Sequence, residues 1–286
     1  MKKLTDCCFS LAESPRYIAG SLYFTDINAG KLYRYTDETL EVVWDKEQIT
    51  SFVADESGGI VFATMHGLYY MSPDGTYEQL VPDLKINDMG VDPKGRVVFG
   101  TNYHSKEQSY PLGSLFVYDK AEGLRELDYG YHLANGIGFS PDGTKMYVCD
   151  SSVRVLFEYP YDPETGTCGR KRILIRFRME AGIPDGMAVD EEGCIWTAQW
   201  YGRCIIRVSP SGEELCRIQV PDAQVSAVEF TPEGLVITTS GARGRLDIAP
   251  EHFSLDDPDV LGGLYITDPG VRGNPHIKSD IFAVKN

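Results

Sequence analysis

The chain of 286 residues carries 27 Lys and Arg against 42 Asp and Glu, a net charge of −15. That charge repels phosphate backbones and anionic lipid, so nucleic acid and membrane surfaces are poor partners. The seven cysteines are odd in number and show no C-x-x-C spacing, so reduced thiols in a cytoplasmic protein are expected rather than a disulfide framework. Residues 1–6 lack an apolar signal core, and no apolar run approaches the roughly 20 residues of a membrane helix.

In chain order, six turn glycines stand between short extended runs: Gly20, Gly58, Gly95, Gly143, Gly193 and Gly234. Their spacings of 38, 37, 48, 50 and 41 residues fall in the range of propeller blades. Five of the turns open on an Asx, Ser or Thr side chain, as in Asp92-Pro-Lys-Gly95 and Ser140-Pro-Asp-Gly143, and glycine takes the positive φ. After each glycine comes a β-branched and aromatic run: Ser21–Thr25, Ile60–Thr64, Arg96–Gly100, Lys145–Cys149, Cys194–Ala198 and Leu235–Thr239. A second apolar run follows in each unit: Lys31–Tyr35, Leu68–Met71, Ser114–Tyr118, Val155–Tyr159, Cys204–Val208 and Leu264–Thr267. One small sheet cannot bury both of its faces, but six packed radially bury them against each other and leave a central channel. The pattern predicts an all-β, six-bladed β-propeller formed by residues 1–286 as one domain, and the residues it gathers at its channel point to a divalent cation there. Whether Asp6–Leu11 belongs to the first blade or closes the ring with the last stays open, and nothing in the chain sets an oligomeric state.

Counting back eight residues from each glycine lands on Thr50, Asn87, Asn135, Asp185 and Ser226, and seven back from Gly20 stands Glu13. Every one carries an oxygen. First strands of propeller blades start beside the axis at one mouth, so these positions converge. The bland alternative is that they are ordinary caps for backbone groups at strand starts. Two acids and an amide carbonyl in register favour a hard-oxygen site suited to Ca²⁺, with Mg²⁺, Mn²⁺ or Zn²⁺ as alternatives. Such a cation would polarise a carbonyl and stabilise the oxyanion formed when water attacks it. The ends of the second strands should wall the opening, with Asp26, His66, Asn102-Tyr103-His104, Asp150-Ser151, Trp200-Tyr201 and Ser240. The chain has no G-x-S-x-G, H-E-x-x-H, P-loop or dinucleotide motif, so covalent serine catalysis and nucleotide binding find no anchor.

The segments Glu13-Ser-Pro15, Asn87-Asp-Met-Gly-Val-Asp-Pro-Lys-Gly95, Ala134-Asn-Gly-Ile-Gly-Phe-Ser-Pro-Asp-Gly143 and Ile183-Pro-Asp-Gly-Met-Ala-Val-Asp190, together with Arg203–Gly212 and Gly263–Gly273, resemble the gluconolactonase/regucalcin family, the senescence-marker-protein-like lactonases. The resemblance implies metal-dependent hydrolysis of a sugar lactone, with Glu13, Asn135 and Asp185 as ligands of one divalent cation. It casts Asp185 as the base and Asn87 as a substrate-binding residue. The sequence departs from the family at Lys85, where an arginine is usual and a bidentate fork is lost, and at Ser109, where some animal members place a glutamate. A metal-dependent esterase or phosphotriesterase, or a non-catalytic calcium-binding propeller, are the competing expectations.

Overall fold

The computed structural model describes residues 1–102, 113–242, 249, 253–254, 256–275 and 277–282. Tyr103, His104, Ser109, His252 and His276 lie outside the described residues. The described chain is strands and turns apart from one 3-10 turn, Met179–Ala181.

Six antiparallel sheets succeed one another along the chain. Strand β1 (Lys2–Lys3) stands apart in sequence from the sheet it joins. Blade 1 holds β2 (Ala12–Ile18), β3 (Ser21–Asp26), β4 (Lys31–Thr36) and β5 (Thr39–Asp45). Blade 2 holds β6 (Ser51–Ala54), β7 (Ile60–Thr64), β8 (Gly67–Met71) and β9 (Tyr77–Pro82). In blade 3 come β10 (Ile86–Val91), β11 (Val97–Thr101), β12 (Gly113–Asp119) and β13 (Gly123–Tyr131). Blade 4 contains β14 (Ala134–Phe139), β15 (Lys145–Asp150), β16 (Val155–Asp162), the short β17 (Thr167–Cys168) and β18 (Arg172–Arg176). Blade 5 contains β19 (Ile183–Val189), β20 (Ile195–Trp200), β21 (Cys204–Val208) and β22 (Glu214–Gln219). Blade 6 is built from β23 (Val225–Thr231), β24 (Gly234–Thr239), β25 (Leu264–Thr267) and β1.

The ring closes through that last pairing. Lys2 faces Ile266, Lys3 faces Tyr265, and Leu4 donates its N–H to Leu264 at 2.8 Å. A strand from the start of the chain thus covers the outer edge that the end of the chain leaves, which removes an unpaired edge. The first strands β2, β6, β10, β14, β19 and β23 touch in a closed circle around the axis.

The turn chemistry explains the hairpins. Gly58, Gly95, Gly143 and Gly193 have φ between 71° and 86°, and each N–H closes a turn on the carbonyl three residues earlier. Asp92 and Asp190 each accept two further backbone N–H groups within their own turns. Packing follows the ring: six apolar clusters each span one pair of adjacent blades, such as Leu32, Trp44, Phe52 and Phe62 between blades 1 and 2, and Trp196, Ile205, Val225 and Phe230 between blades 5 and 6. Each sheet is therefore buried on both faces by its neighbours. Cys149 and Cys204 serve this packing at 0 % exposure, and all seven cysteines are free thiols.

After β25 the chain crosses the end of the channel where the first strands finish. Gly273 bridges Asp190, Ser279 bridges Asp55, and Phe282 stacks on Tyr70. Beneath this segment lies a cavity of about 210 Å³ lined by Arg16, Gly90, Gly138, Glu229, Asn274 and Lys278 among others. No helix among the described residues is long and apolar enough to cross a membrane.

Candidate active site

At the opposite mouth, where the first strands begin, the ladder between first and second strand breaks register in five blades: at Glu13/Arg16, Ile86/Asp88, Asn135/Ile137, Pro184/Met187 and Val225/Ala227. Bulges re-aim side chains and tighten local twist. Here they coincide with the predicted site positions. Ser14, just after Glu13, takes φ 50°, and Gly136, just after Asn135, takes φ 45°. A Cβ on Gly136 would stand 2.6 Å from the Asp185 carbonyl oxygen, so the backbones of blades 4 and 5 approach here as closely as glycine permits.

The bulges bring Asn135 and Asp185 into contact, with the Glu13 carboxyl near enough for its charge to act on Asp185. Asn135 donates its Nδ2 to Asp185 Oδ1, and its own Oδ1 accepts the Gly136 N–H at 3.0 Å. Asp185 feels the charge of Glu13 from across the channel. Both Asn135 and Asp185 are buried, at 9 % and 7 % exposure, and Glu13 is half-buried. Burial first, and then the neighbouring Asp88 charge, push the Glu13 carboxyl up to about 8, against smaller opposing effects of the Ser14 N–H and then Arg16. Burial, then Glu13 and Asp88, hold the Asp185 carboxyl well above the usual carboxylate range, with the Asn135 hydrogen bond opposing. The cause is physical: like charges withdrawn from water favour protons or a cation between them.

Asp88 is the acid that counting from the glycines missed. The count assumes an unbroken ladder and lands on Asn87, whereas the bulge after Ile86 shifts the register there by one residue. The Asn-Asp pair itself was the available signal.

The remaining counted positions do other work. Thr50 donates to the carbonyl of Ile86 at 2.8 Å, Asn87 Nδ2 to that of Ala134 at 3.1 Å, and Ser226 to that of Ala12 at 2.6 Å. Each links one blade to the residue just before the equivalent position of the next. For these three the cap expectation describes the contact, and the structure does not join them to the acids by hydrogen bonds. Lys85 is exposed, and its carbonyl accepts the Asn102 N–H at 2.8 Å.

Several expected wall residues cap backbone instead. Asp26 accepts N–H groups of Ser10, Leu11 and Ala29, Asp150 those of His132 and Ser152, and Ser240 donates to the Ser10 carbonyl. Ser151 donates to the Pro184 carbonyl at 2.7 Å. His66 is exposed.

The donor chemistry fits a hard divalent cation: Asp185 in contact with the Asn135 amide, and Glu13 near enough for the two carboxyls to raise each other's proton affinity. Among the described residues no three or more His, Cys, Asp or Glu side chains are grouped to hold a metal. The cradle would thus use Glu13 and Asp185 with the amide oxygen of Asn135 as its third protein ligand.

Comparison with known proteins gives the chain a family. The chain is 29 % identical to the pentonolactonase XacC of Haloferax volcanii over 98 % of each chain. It is 33 % identical to a 6-deoxy-6-sulfogluconolactonase of Pseudomonas putida over 88 % of each. Its fold superposes on a calcium-binding protein, regucalcin, of Agrobacterium tumefaciens with a TM-score of 0.82, at 23 % identity, covering 98 % of this chain and 96 % of that one. Residues 11–241 match the SMP-30/Gluconolactonase/LRE-like region, and the chain belongs to that family, as its Glu13, Asn135 and Asp185 segments foretold.

Proposed function

We propose that this protein hydrolyses a sugar lactone, an aldono-1,4- or 1,5-lactone, to the aldonic acid. The observation that carries the reading is the meeting of Asp185 with Asn135 and Glu13 at the channel mouth, in a chain whose relatives include lactonases acting on pentono- and sulfoglucono-lactones. A divalent cation bound by Glu13, Asn135 and Asp185, with Ca²⁺ favoured over Zn²⁺, Mn²⁺ and Mg²⁺ by the all-oxygen donors, supplies the positive charge that polarises the lactone carbonyl.

The chain's own residues do the rest. Asp185, the carboxylate beside the cation, takes the proton of the attacking water. Asn87 gives one Nδ2 hydrogen to the Ala134 carbonyl, which fixes its amide and leaves its Oδ1 and second N–H for sugar hydroxyls. The preorganised frame, with Asn135 anchored through Gly136 and Asp185 through Asn135, holds these groups without reorganisation during the reaction. Free thiols throughout the chain accord with a cytoplasmic setting.

The test is acid release by the purified chain from glucono-, galactono-, arabinono- and xylonolactones, with and without added divalent ions. Metal-dependent turnover that Asp185→Asn abolishes supports the reading. Turnover of phenyl acetate or paraoxon in preference to every lactone would move the assignment to an esterase or phosphotriesterase. Cation-dependent melting with no turnover of any ester would make the protein a calcium binder.

A further inference from the structure

Asp88 is half-buried on β10, immediately after the bulge. Its Oδ1 accepts hydrogen bonds from Ser51 Oγ at 2.9 Å and from the Met89 N–H at 2.8 Å. Ser51 is fully buried and lies 2.9 Å from Ser14 Oγ, while the Ser14 N–H donates to Glu13 Oε2 at 2.8 Å. A chain of polar contacts therefore runs from Glu13 in blade 1 through Ser51 in blade 2 to Asp88 in blade 3. Asp88's charge acts on both Glu13 and Asp185. Among the described residues no Lys, Arg or His pairs with it. A third carboxylate fixed by two donors beside two others adds negative charge that favours a cation between them.

We infer that Asp88 is a positioning residue of the cation cradle, one whose charge, pinned by Ser51 and the Met89 amide, sets how tightly Glu13, Asn135 and Asp185 hold a divalent ion. This rests on the functional reading above, in that it presumes the cradle binds a cation. Asp88 does not complete a three-acid metal group, so it acts through its field and through Ser51 rather than as a ligand. The two contributions separate by substitution. Asp88→Asn removes the charge but keeps an acceptor oxygen for Ser51 and Met89, whereas Ser51→Ala keeps the charge and removes one of its anchors.

The experiment is calorimetric titration of Ca²⁺, and separately Mn²⁺, into the full chain after chelator treatment, with melting of the metal-free proteins alongside. Asp88→Asn is expected to weaken cation binding at least about tenfold, the order set by one unit charge acting on a doubly charged ion through a partly screened protein medium. Its metal-free form should melt no lower than wild type, because a like charge has gone. Ser51→Ala should weaken binding by less than Asp88→Asn. Wild-type affinity in Asp88→Asn overturns the inference alone, and so does a fall in its metal-free melting temperature that accounts for the lost binding. Failure of the wild type to bind either ion would remove the functional reading and this inference with it.

Discussion

Proton release on cation binding is the sharpest consequence of the site's electrostatics. Without a cation, Glu13 has its carboxyl raised from its ordinary value near 4.5 to about 8 by burial and Asp88. At pH 7 such a group is protonated in roughly nine molecules of ten. A cation that takes the carboxylate must expel that proton, so Glu13 alone releases about 0.9 proton at pH 7 and about 0.1 at pH 9. Asp185, shifted in the same direction, adds to the count, and the protons belong to the pair rather than to either acid. Apparent affinity for Ca²⁺ should then rise with pH, by about tenfold per unit for each proton displaced, and level off above the Glu13 titration. Titrating Ca²⁺ in buffers of unlike ionisation enthalpy at pH 6, 7, 8 and 9 yields the number directly. Binding with no proton release at pH 7 would refute the argument, since it would mean that both acids are already ionised. The same shift has a stability sign. A carboxyl whose folded value lies above its unfolded one contributes stability that is complete below about 4.5 and lost as pH rises through about 8. Metal-free protein should therefore melt progressively lower across that window, and Glu13→Gln should flatten the decline.

Two substitutions test the frame that holds the site. Gly136→Ala forces a Cβ into a left-handed conformation 2.6 Å from the Asp185 carbonyl and 3.0 Å from Met187 Cε. It should cost about 2–4 kcal/mol in urea unfolding, and displacement of Asp185 should lower lactone kcat/KM by about a hundredfold. Asp190→Ala removes a fully buried carboxylate that accepts from Trp196 Nε1, Arg207 and the N–H groups of Glu192 and Cys194. Because it strands those donors far from the mouth, about 3–5 kcal/mol and roughly 10 °C of melting temperature should be lost, while kcat/KM per folded molecule stays within about twofold of wild type at 20 °C.

What the sequence made legible was whatever repeats with the turn. Gly95 and Gly193, each with an aspartate three residues earlier, announce the hairpins, and the runs Cys204–Val208 and Leu264–Thr267 coincide with β21 and β25. Glu13, Asn135 and Asp185 could be superimposed because their glycines index them. Fixed counting does not foresee where a bulge falls: Glu13, Asn135 and Asp185 keep their index beside bulges, while in blade 3 the acid is Asp88, one past the counted Asn87. Blade 2 shows the contrast, for its β6–β7 ladder runs without a register shift, and there Thr50 reaches the Ile86 carbonyl while Ser51 turns to Asp88. Asp26 and Asp150 were expected at the wall because strand ends point there, but a carboxylate at a strand end finds free N–H groups before it finds solvent. The closing strand was invisible for another reason. Lys2–Lys3 is two exposed cations with no apolar signature, and it is a strand because β25 offers an edge.

The divergence among the six equivalent positions follows from a division of labour that the bulges make available. Every blade must be tied to the next near the axis, and Thr50, Asn87 and Ser226 do this with their own side chains. Glu13 is spared that duty, and Asn135 reaches the next blade through the Asp185 side chain rather than through a backbone carbonyl. In blade 1 the neighbouring Ser14 bonds Ser51 Oγ and accepts the Phe52 N–H, and between blades 4 and 5 Ser151 from the second strand's end reaches the Pro184 carbonyl. Asp185 is released differently. Gly186 packs against Ala227, where an added Cβ would lie 2.5 Å from the alanine Cβ, and Trp200 bridges to Gln224. Blades 5 and 6 are thus joined by backbone and close contact rather than by the Asp185 side chain. A side chain can be given to chemistry only where another atom has taken over the structural hydrogen bond, because an orphaned buried carbonyl costs about 1–3 kcal/mol. It follows that converting Asp185 to a neutral amide should leave the ring closed, whereas Ser151→Ala, which touches no reacting group, should loosen the joint on which Asp185 stands.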